Sequence, residues 1–201
     1  MNLTNSPGRD ESLVAIAFKI SQGDQHSFRL LFDQFADCLT RFAQSILRSK
    51  DAATEVVDDV LVKIWKNRET LPQIENLRVY LYMATKNTAL NYLSNKARQM
   101  ITEPFNEIDV ELKDEHNPDQ QMITKELTKR IHDTVQELPP RCKMIFKLVR
   151  EDGLKYKEVA AILKISENTV DAQMVIAIKK IKEAFRGNLN ISTTQGILKK
   201  A

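Results

Sequence analysis

Residues 154–182 constrain the chain most, because two apolar stripes of helical period meet there at a single capping serine. Val159, Ile162 and Leu163 give the first segment one apolar face, and Ile165 fills the turn that follows. The Ser166 hydroxyl is then placed to accept an orphan backbone N–H of the next helix, as N-cap residues do. Val170, Met174, Ala177, Ile178 and Ile181 resume at spacings of four, three, one and three, the period of a helix packed on one side. Lys179, Lys180 and Lys182 close it. Two short helices about a tight turn read as a helix-turn-helix, whose second helix suits a DNA major groove. A plain helical hairpin has the same spacing, so the motif needs support from the rest of the chain.

That support begins with periodicity. Helix formers dominate and few runs alternate apolar and polar residues, which predicts an all-α protein. Leu13–Ile20 reads as a short amphipathic helix after a frayed terminus, closed by Ser21-Gln22-Gly23-Asp24. Phe28, Leu31, Phe32, Phe35, Leu39, Phe42, Ala43, Ile46 and Leu47 keep helical spacing for five turns and predict a core face carrying four phenylalanines. Asp51 is the expected cap of the next helix, whose Val56, Val57, Val60, Leu61, Ile64 and Trp65 form a wide buried stripe. Glu55, Asp58, Asp59 and Lys63 fall on its remaining surface around Val62, an apolar residue in an acidic patch. In 77–96 the predicted stripe is Leu77, Leu81, Ala84, Thr88 and Tyr92, leaving Arg78, Tyr82, Lys86, Asn87, Asn91 and Asn95 on other faces. Basic, amide and aromatic side chains interleaved in this way suit phosphates, base edges and unpaired bases respectively. A solvated polar face beside core tyrosines is the competing reading. Ile123–Val135 resumes helix, Leu138-Pro139-Pro140 stops it and starts another, and Met144, Ile145, Leu148 and Val149 pack under the helix-turn-helix.

Charge is distributed unevenly although the net value is only +3. Arg141–Arg186 holds eleven basic and six acidic residues, and Leu77–Arg98 holds four basic residues and no acidic one. Between them, Gln99–Gln121 has seven acidic residues and one lysine, so two basic blocks flank an acidic linker. Such a pattern fits contact with phosphate at two places. Cys38 and Cys142 match no metal or redox spacing and read as apolar fillers in a reducing compartment. Met1–Arg9 is polar with no apolar run after it, and no stretch approaches the ~20 apolar residues of a membrane span. A cytoplasmic protein without membrane insertion is expected. His26, His116 and His132 are isolated and the five glycines never cluster, so neither catalysis nor a small-molecule substrate, metal or other cofactor is expected.

Read together, these residues resemble a known family. Gly23-Asp24-x-x-Ser27-Phe28-Arg29-x-Leu31-Phe32, followed by Asp51-Ala52-x-x-Glu55-Val56-Val57-x-Asp59-Val60-x-Val62-Lys63-Ile64-Trp65, is similar to region 2 of bacterial sigma-70-family factors of the extracytoplasmic-function (ECF) group. Leu77-Arg78-x-Tyr80-Leu81-Tyr82-x-Ala84-x-x-Asn87-x-Ala89-x-Asn91-Tyr92-Leu93 resembles that region's promoter-melting helix. Leu138-Pro139-Pro140-Arg141-Cys142-Lys143-x-Ile145-Phe146 and the helix-turn-helix resemble region 4. The resemblance implies two helical domains, region 2 over 13–98 and region 4 over 122–186, joined by the acidic linker 99–121 and followed by a tail, 187–201.

It also implies roles. Glu55, Asp58, Asp59, Val62 and Trp65 would form or support the surface that docks on the β′ clamp helices of core RNA polymerase, whose β flap is a further contact. Arg78, Tyr80, Lys86, Asn87 and Asn91 would face the −10 element, with Lys96 and Arg98 on backbone phosphates. Ser166, Glu167, Asn168, Thr169, Gln173, Lys179 and Lys180 would serve the −35 element. The acidic linker would thread toward the RNA exit channel. Several positions depart from the family pattern: Asp58 for a frequent Gln, Tyr80 for a frequent Trp, Lys164 for Gly in the turn, and Asp171, Ala172, Gln173, Val175 and Ile176 for a more basic recognition helix. This last pattern resembles the iron-citrate-uptake-type subgroup, whose members are commonly held by a membrane-anchored anti-sigma factor. Two rivals remain at this level: a polymerase-independent helix-turn-helix regulator that binds duplex DNA as a dimer, and a pure protein-interaction module.

Overall fold

The computed structural model describes residues 8–100 and 131–195, with side chains over 13–97 and 131–184, and no strand occurs among them. The chain divides into two compact units. The first holds α1 (Gly8–Ser21), α2 (Gln25–Leu47), α3 (Lys50–Lys66), a 3-10 turn (Arg68–Gln73) and α4 (Leu77–Met100). The second holds a helix described over 131–136 (α5), α6 (Pro140–Arg150), most of α7 (Tyr156–Leu163) and α8 (Glu167–Gln195). Of the expected linker, residues 99 and 100 continue α4, and 101–121 lie outside the described residues, as do 122–130 and 196–201.

In the first unit, Gly23 takes a φ of 86°, which lets the chain reverse between α1 and α2. Asp24 then caps α2, accepting from the Ser27 hydroxyl at 2.5 Å and from the Ser27 and His26 amides at 3.1 and 3.3 Å. Leu31, Phe35, Leu39, Phe42, Ala43 and Leu47 are buried on α2. Phe32 departs from expectation and is 41% exposed. It shares its angular position with buried Ala43, so burial there depends on what covers the helix along its length, not on phase alone. The α1 helix begins at Gly8, earlier than Leu13, and the cap of α3 is Ser49, whose side chain accepts from Ala52 N–H at 3.3 Å. Asp51 sits instead in the first turn, where an acidic group complements the positive end of the helix dipole.

The buried positions of α4 are Leu77, Leu81, Tyr82, Thr85 and Ala89, not the stripe through Ala84, Thr88 and Tyr92. Tyr82 is 1% exposed and packs its ring 5.3 Å from that of Phe42, so it belongs to the core and leaves the expected nucleic-acid face. Thr85 is fully buried because its hydroxyl is satisfied by the Leu81 carbonyl at 2.9 Å, a bond the hydropathy pattern does not reveal.

In the second unit, Pro140 opens α6, and Val135, Leu138, Cys142 and Ala177 form a core cluster with Phe146 and Ile181 packed against it. Cys142 is a buried free thiol whose Sγ donates to the Gln173 carbonyl at 3.3 Å, and Cys38 is a half-buried free thiol. The helix-turn-helix forms as the spacing predicts. Glu158 folds back to accept the Lys155 N–H at 2.8 Å, capping α7, and Ser166 accepts the Thr169 N–H at 3.1 Å, capping α8. Val159, Ile162, Val170, Met174 and Ala177 are buried, and Leu163, Ile178 and Ile181 half-buried. The α8 helix does not stop near Lys182 but runs to Gln195, into the segment expected as a polar tail.

Lys164 adopts a φ of 54° in the turn, the left-handed conformation that a side chain disfavours. Lys164→Gly is therefore expected to stabilise this unit by about 1 kcal/mol, relieving left-handed strain of roughly 1–2 kcal/mol less the added entropy of an unfolded glycine. Thermal unfolding followed by circular dichroism should rise by about 4–8 °C if the unit melts independently. An unchanged or lower midpoint would remove strain at Lys164 from the account.

Candidate nucleic-acid and partner surfaces

Three exposed faces carry the residues singled out by sequence. On α3, Glu55, Asp58, Asp59 and Val62 recur at three- and four-residue spacing and share one side of the helix. The three carboxylates are exposed, and Val62 is 50% exposed among them. Trp65 is half-buried: its ring lies 5.0 Å from that of Phe28, and the Arg68 guanidinium stacks on it at 5.1 Å. Arg68 also donates to the Trp65 carbonyl at 3.2 Å. The tryptophan thus braces the end of the acidic face between two elements. What this face offers is negative charge around an apolar centre, suited to a partner surface that is basic with a small apolar contact.

On α4, helical rotation brings Tyr80, Asn87 and Asn91 to one side, and all three are exposed. Leu90, 50% exposed, lies at the edge of that side next to Asn87, and sequence periodicity does not single it out. Its exposure against a buried Ala89 is the only signal, and periodicity does not predict it. Lys86 flanks this face and is half-buried. Arg78 and Lys96 point to the other side of the helix. Arg78 is half-buried and its Nε is a buried donor with no hydrogen-bond partner among the described residues, whereas Lys96 is exposed beyond the core. Arg98 lies on α4, with its side chain outside the described residues. The α4 set is therefore an amide face flanked by Lys86, with Arg78 and Lys96 on the opposite side of the helix.

On α8, Asn168, Ala172, Val175 and Lys179 follow one another at four, three and four residues along a single outward face. Glu167, Lys180 and Ile176 flank it, and Val175 is 58% and Ile176 42% exposed. Ser166 and Thr169 are engaged with each other, their hydroxyl oxygens 2.8 Å apart, so their first task is the cap. Gln173 is half-buried and rotated well away from Asn168. Lys179 lies 4.0 Å from Glu183 in an exposed pair. The face is short, with amide, small apolar and basic groups in order, dimensions that a major groove accommodates. No cluster of three or more His, Cys, Asp or Glu able to hold a metal occurs among the described residues.

The two units contain matches to two modules of one family. Residues 31–99 match sigma-70 region 2, and residues 128–181 match sigma-70 region 4; together the matches span more than half of the chain. The chain belongs to the sigma-70 family. Similar proteins include the ECF RNA polymerase sigma-E factor of Haemophilus influenzae, 27% identical over 188 residues, covering 88% of this chain and 95% of that protein. The sigma-E factor of Escherichia coli K12 is 27% identical over 170 residues, covering 81% of this chain and 88% of its own length. Both place this sigma-70 family member in the ECF group.

Solved structures agree on the fold. The structure of CnrH in complex with the cytosolic domain of CnrY superposes with a TM-score of 0.52 at 17% identity, covering 87% of this chain and 97% of that one. The sigma factor RpoE in complex with the anti-sigma factor NepR from Bartonella quintana gives 0.53 at 18%, covering 79% and 96%. Within the sigma factor, the region 2 match runs from Leu31 on α2 into the last turn of α4 and so includes the acidic α3 face and the amide face. The region 4 match includes α6, α7 and the first half of α8. Among the described residues no helix is long and apolar enough to cross a membrane.

Proposed function

We propose that this ECF sigma factor acts in the cytoplasm as a non-catalytic initiation factor that brings core RNA polymerase to specific promoters and opens them. The observation that carries the reading is the pairing of an acidic, tryptophan-braced α3 face with an exposed amide face on α4, in one chain with a helix-turn-helix. Glu55, Asp58, Asp59 and Val62 dock on the β′ clamp helices, with Trp65 holding the end of that face in place. Asn87 and Asn91, with Tyr80 beside them, take the −10 strand once it is unpaired, since amides pair with base edges and an aromatic ring stacks on a free base. Asn168 and Glu167 lead α8 into the −35 groove, and Lys179 and Lys180 neutralise phosphate. Neither DNA contact needs to be strong, because tethering both through polymerase raises their effective concentration.

The exposed Val175 and Ile176 and the sparse charge of the recognition helix fit the iron-citrate-uptake-type subgroup. The sigma–anti-sigma complex among the similar structures suggests that an anti-sigma factor also controls this chain. The test is in vitro transcription with purified core polymerase on a genomic library. Promoter-specific transcripts that require this chain are expected. A palindrome footprinted by the free chain, to which polymerase adds nothing, would instead support a dimeric polymerase-independent regulator.

A further inference from the structure

The α8 helix carries a second stripe beside its DNA-facing one. Asp171, Val175, Ile178 and Lys182 follow at spacings of four, three and four, the a/d repeat of a two-helix seam. Asp171 and Lys182 are exposed, Val175 is 58% exposed, and Ile178 keeps part of its side chain outside the core. An open hollow of about 390 Å³ lies against the C-terminal part of this stripe, lined by Val175, Ile178, Lys179, Lys182 and Glu183. Neither Asp171 nor Lys182 forms an ion pair among the described residues, whereas neighbouring Lys179 and Glu183 pair with each other.

We infer that this stripe pairs with the same stripe of a second copy, antiparallel, in a weak dimer. The argument is the order of charges. With the two-fold axis midway between Val175 and Ile178, Val175 of each copy faces Ile178 of the other, and Asp171 of each faces Lys182 of the other. The contact is isologous, so each favourable pair occurs twice. A parallel pairing would set aspartate against aspartate and lysine against lysine, and like charges across a seam select against it. The stripe spans about 16 Å at 1.5 Å per residue, which gives only two apolar layers closed by two ion pairs. Such a seam is small and its closing pairs are exposed, so the dimer is weak and gathers only toward the high end of a concentration series. Val175 also belongs to the outward face carrying Asn168, Ala172 and Lys179, so the dimer covers part of the surface that the proposed function gives to the −35 element. Free sigma factor would thereby shield its own recognition helix until polymerase draws off the monomer. The shielding rests on the proposed function; the dimer does not.

Sedimentation velocity of the full chain over a concentration series tests the pairing without polymerase or DNA. The expected result is a reversible monomer–dimer shift, weakened by salt because the closing pairs are exposed. Asp171→Lys alone and Lys182→Asp alone should each be monomeric at concentrations where the parent is half dimer. A mixture of these two variants should associate again, since each supplies the charge the other lacks. Circular dichroism checks that both variants fold, and the mixture serves as the control should either be partly destabilised. A parent monomeric at every concentration overturns the inference and leaves the stripe to DNA or to a different protein. A dimer indifferent to either reversal, or variants that fail to pair with each other, overturns it equally.

Discussion

Asp59→Arg is expected to reduce binding to core polymerase by about 100-fold or more, and with it promoter-specific transcription. Asp59 is exposed on α3 beside Glu55, Asp58 and Val62, so reversal leaves the helix packed and inverts the centre of the acidic face. Reversing one charge in a complementary interface loses an attraction and adds a repulsion, and 2–5 kcal/mol is the usual scale for a close interfacial charge, with 100-fold corresponding to about 2.7 kcal/mol. The measurement is a titration of labelled chain with core polymerase at fixed salt, with circular dichroism showing the helix content of the parent. Lys63→Ala serves as the comparison, being exposed on the same helix without adding to the negative patch. Unaltered affinity in the reversed variant would move the docking surface elsewhere.

Asn87→Ala is expected to impair promoter opening while leaving polymerase binding intact. The side chain is exposed one helical turn from Asn91, on the face that also holds Tyr80, with Leu90 at its edge. An amide paired with a base edge contributes about 1–3 kcal/mol of discrimination, so open-complex formation should fall by roughly 5- to 150-fold. Permanganate reactivity of unpaired thymines reads opening directly. On a template already unpaired at the −10 element the energetic demand of melting is removed, and most of the defect should disappear. An equal loss on both templates would show that Asn87 contributes to something other than strand capture.

The amino-acid order made some features legible and concealed others, for reasons visible in particular residues. Helices built on one dominant stripe are readable: the α3 stripe, the helix-turn-helix and its Ser166 cap follow from spacing and capping chemistry, whereas the α3 cap is Ser49 and not Asp51. On α4, phase alone places the buried stripe on Ala84, Thr88 and Tyr92, whereas Tyr82, Thr85 and Ala89 are the buried positions. Thr85 is buried only because its hydroxyl bonds to the Leu81 carbonyl, and Tyr82 because Phe42 receives its ring. The first is a bond within α4 and the second a contact between helices, and hydropathy spacing reveals neither. Phe32 shows the converse, a large apolar residue in the right phase that stays 41% exposed.

Site residues divide along the same line. Glu55, Asp58, Asp59, Asn87, Asn91 and Asn168 are exposed, as a docking or reading role requires. Arg78, Gln173 and Thr169 are drawn partly inward, and Arg78 is rotated to the opposite side of α4 from the asparagines. Leu90 became visible only in three dimensions. The acidic linker is read from charge alone, since 101–121 lie outside the described residues.

The most direct test is a footprint of the purified chain on one of its promoters, with and without core polymerase. Two helical modules anchored to one large enzyme should protect two separate patches, near −35 and −10, only when polymerase is present, with permanganate-reactive thymines confined to the second. Protection by the chain alone that polymerase neither extends nor opens would contradict the account.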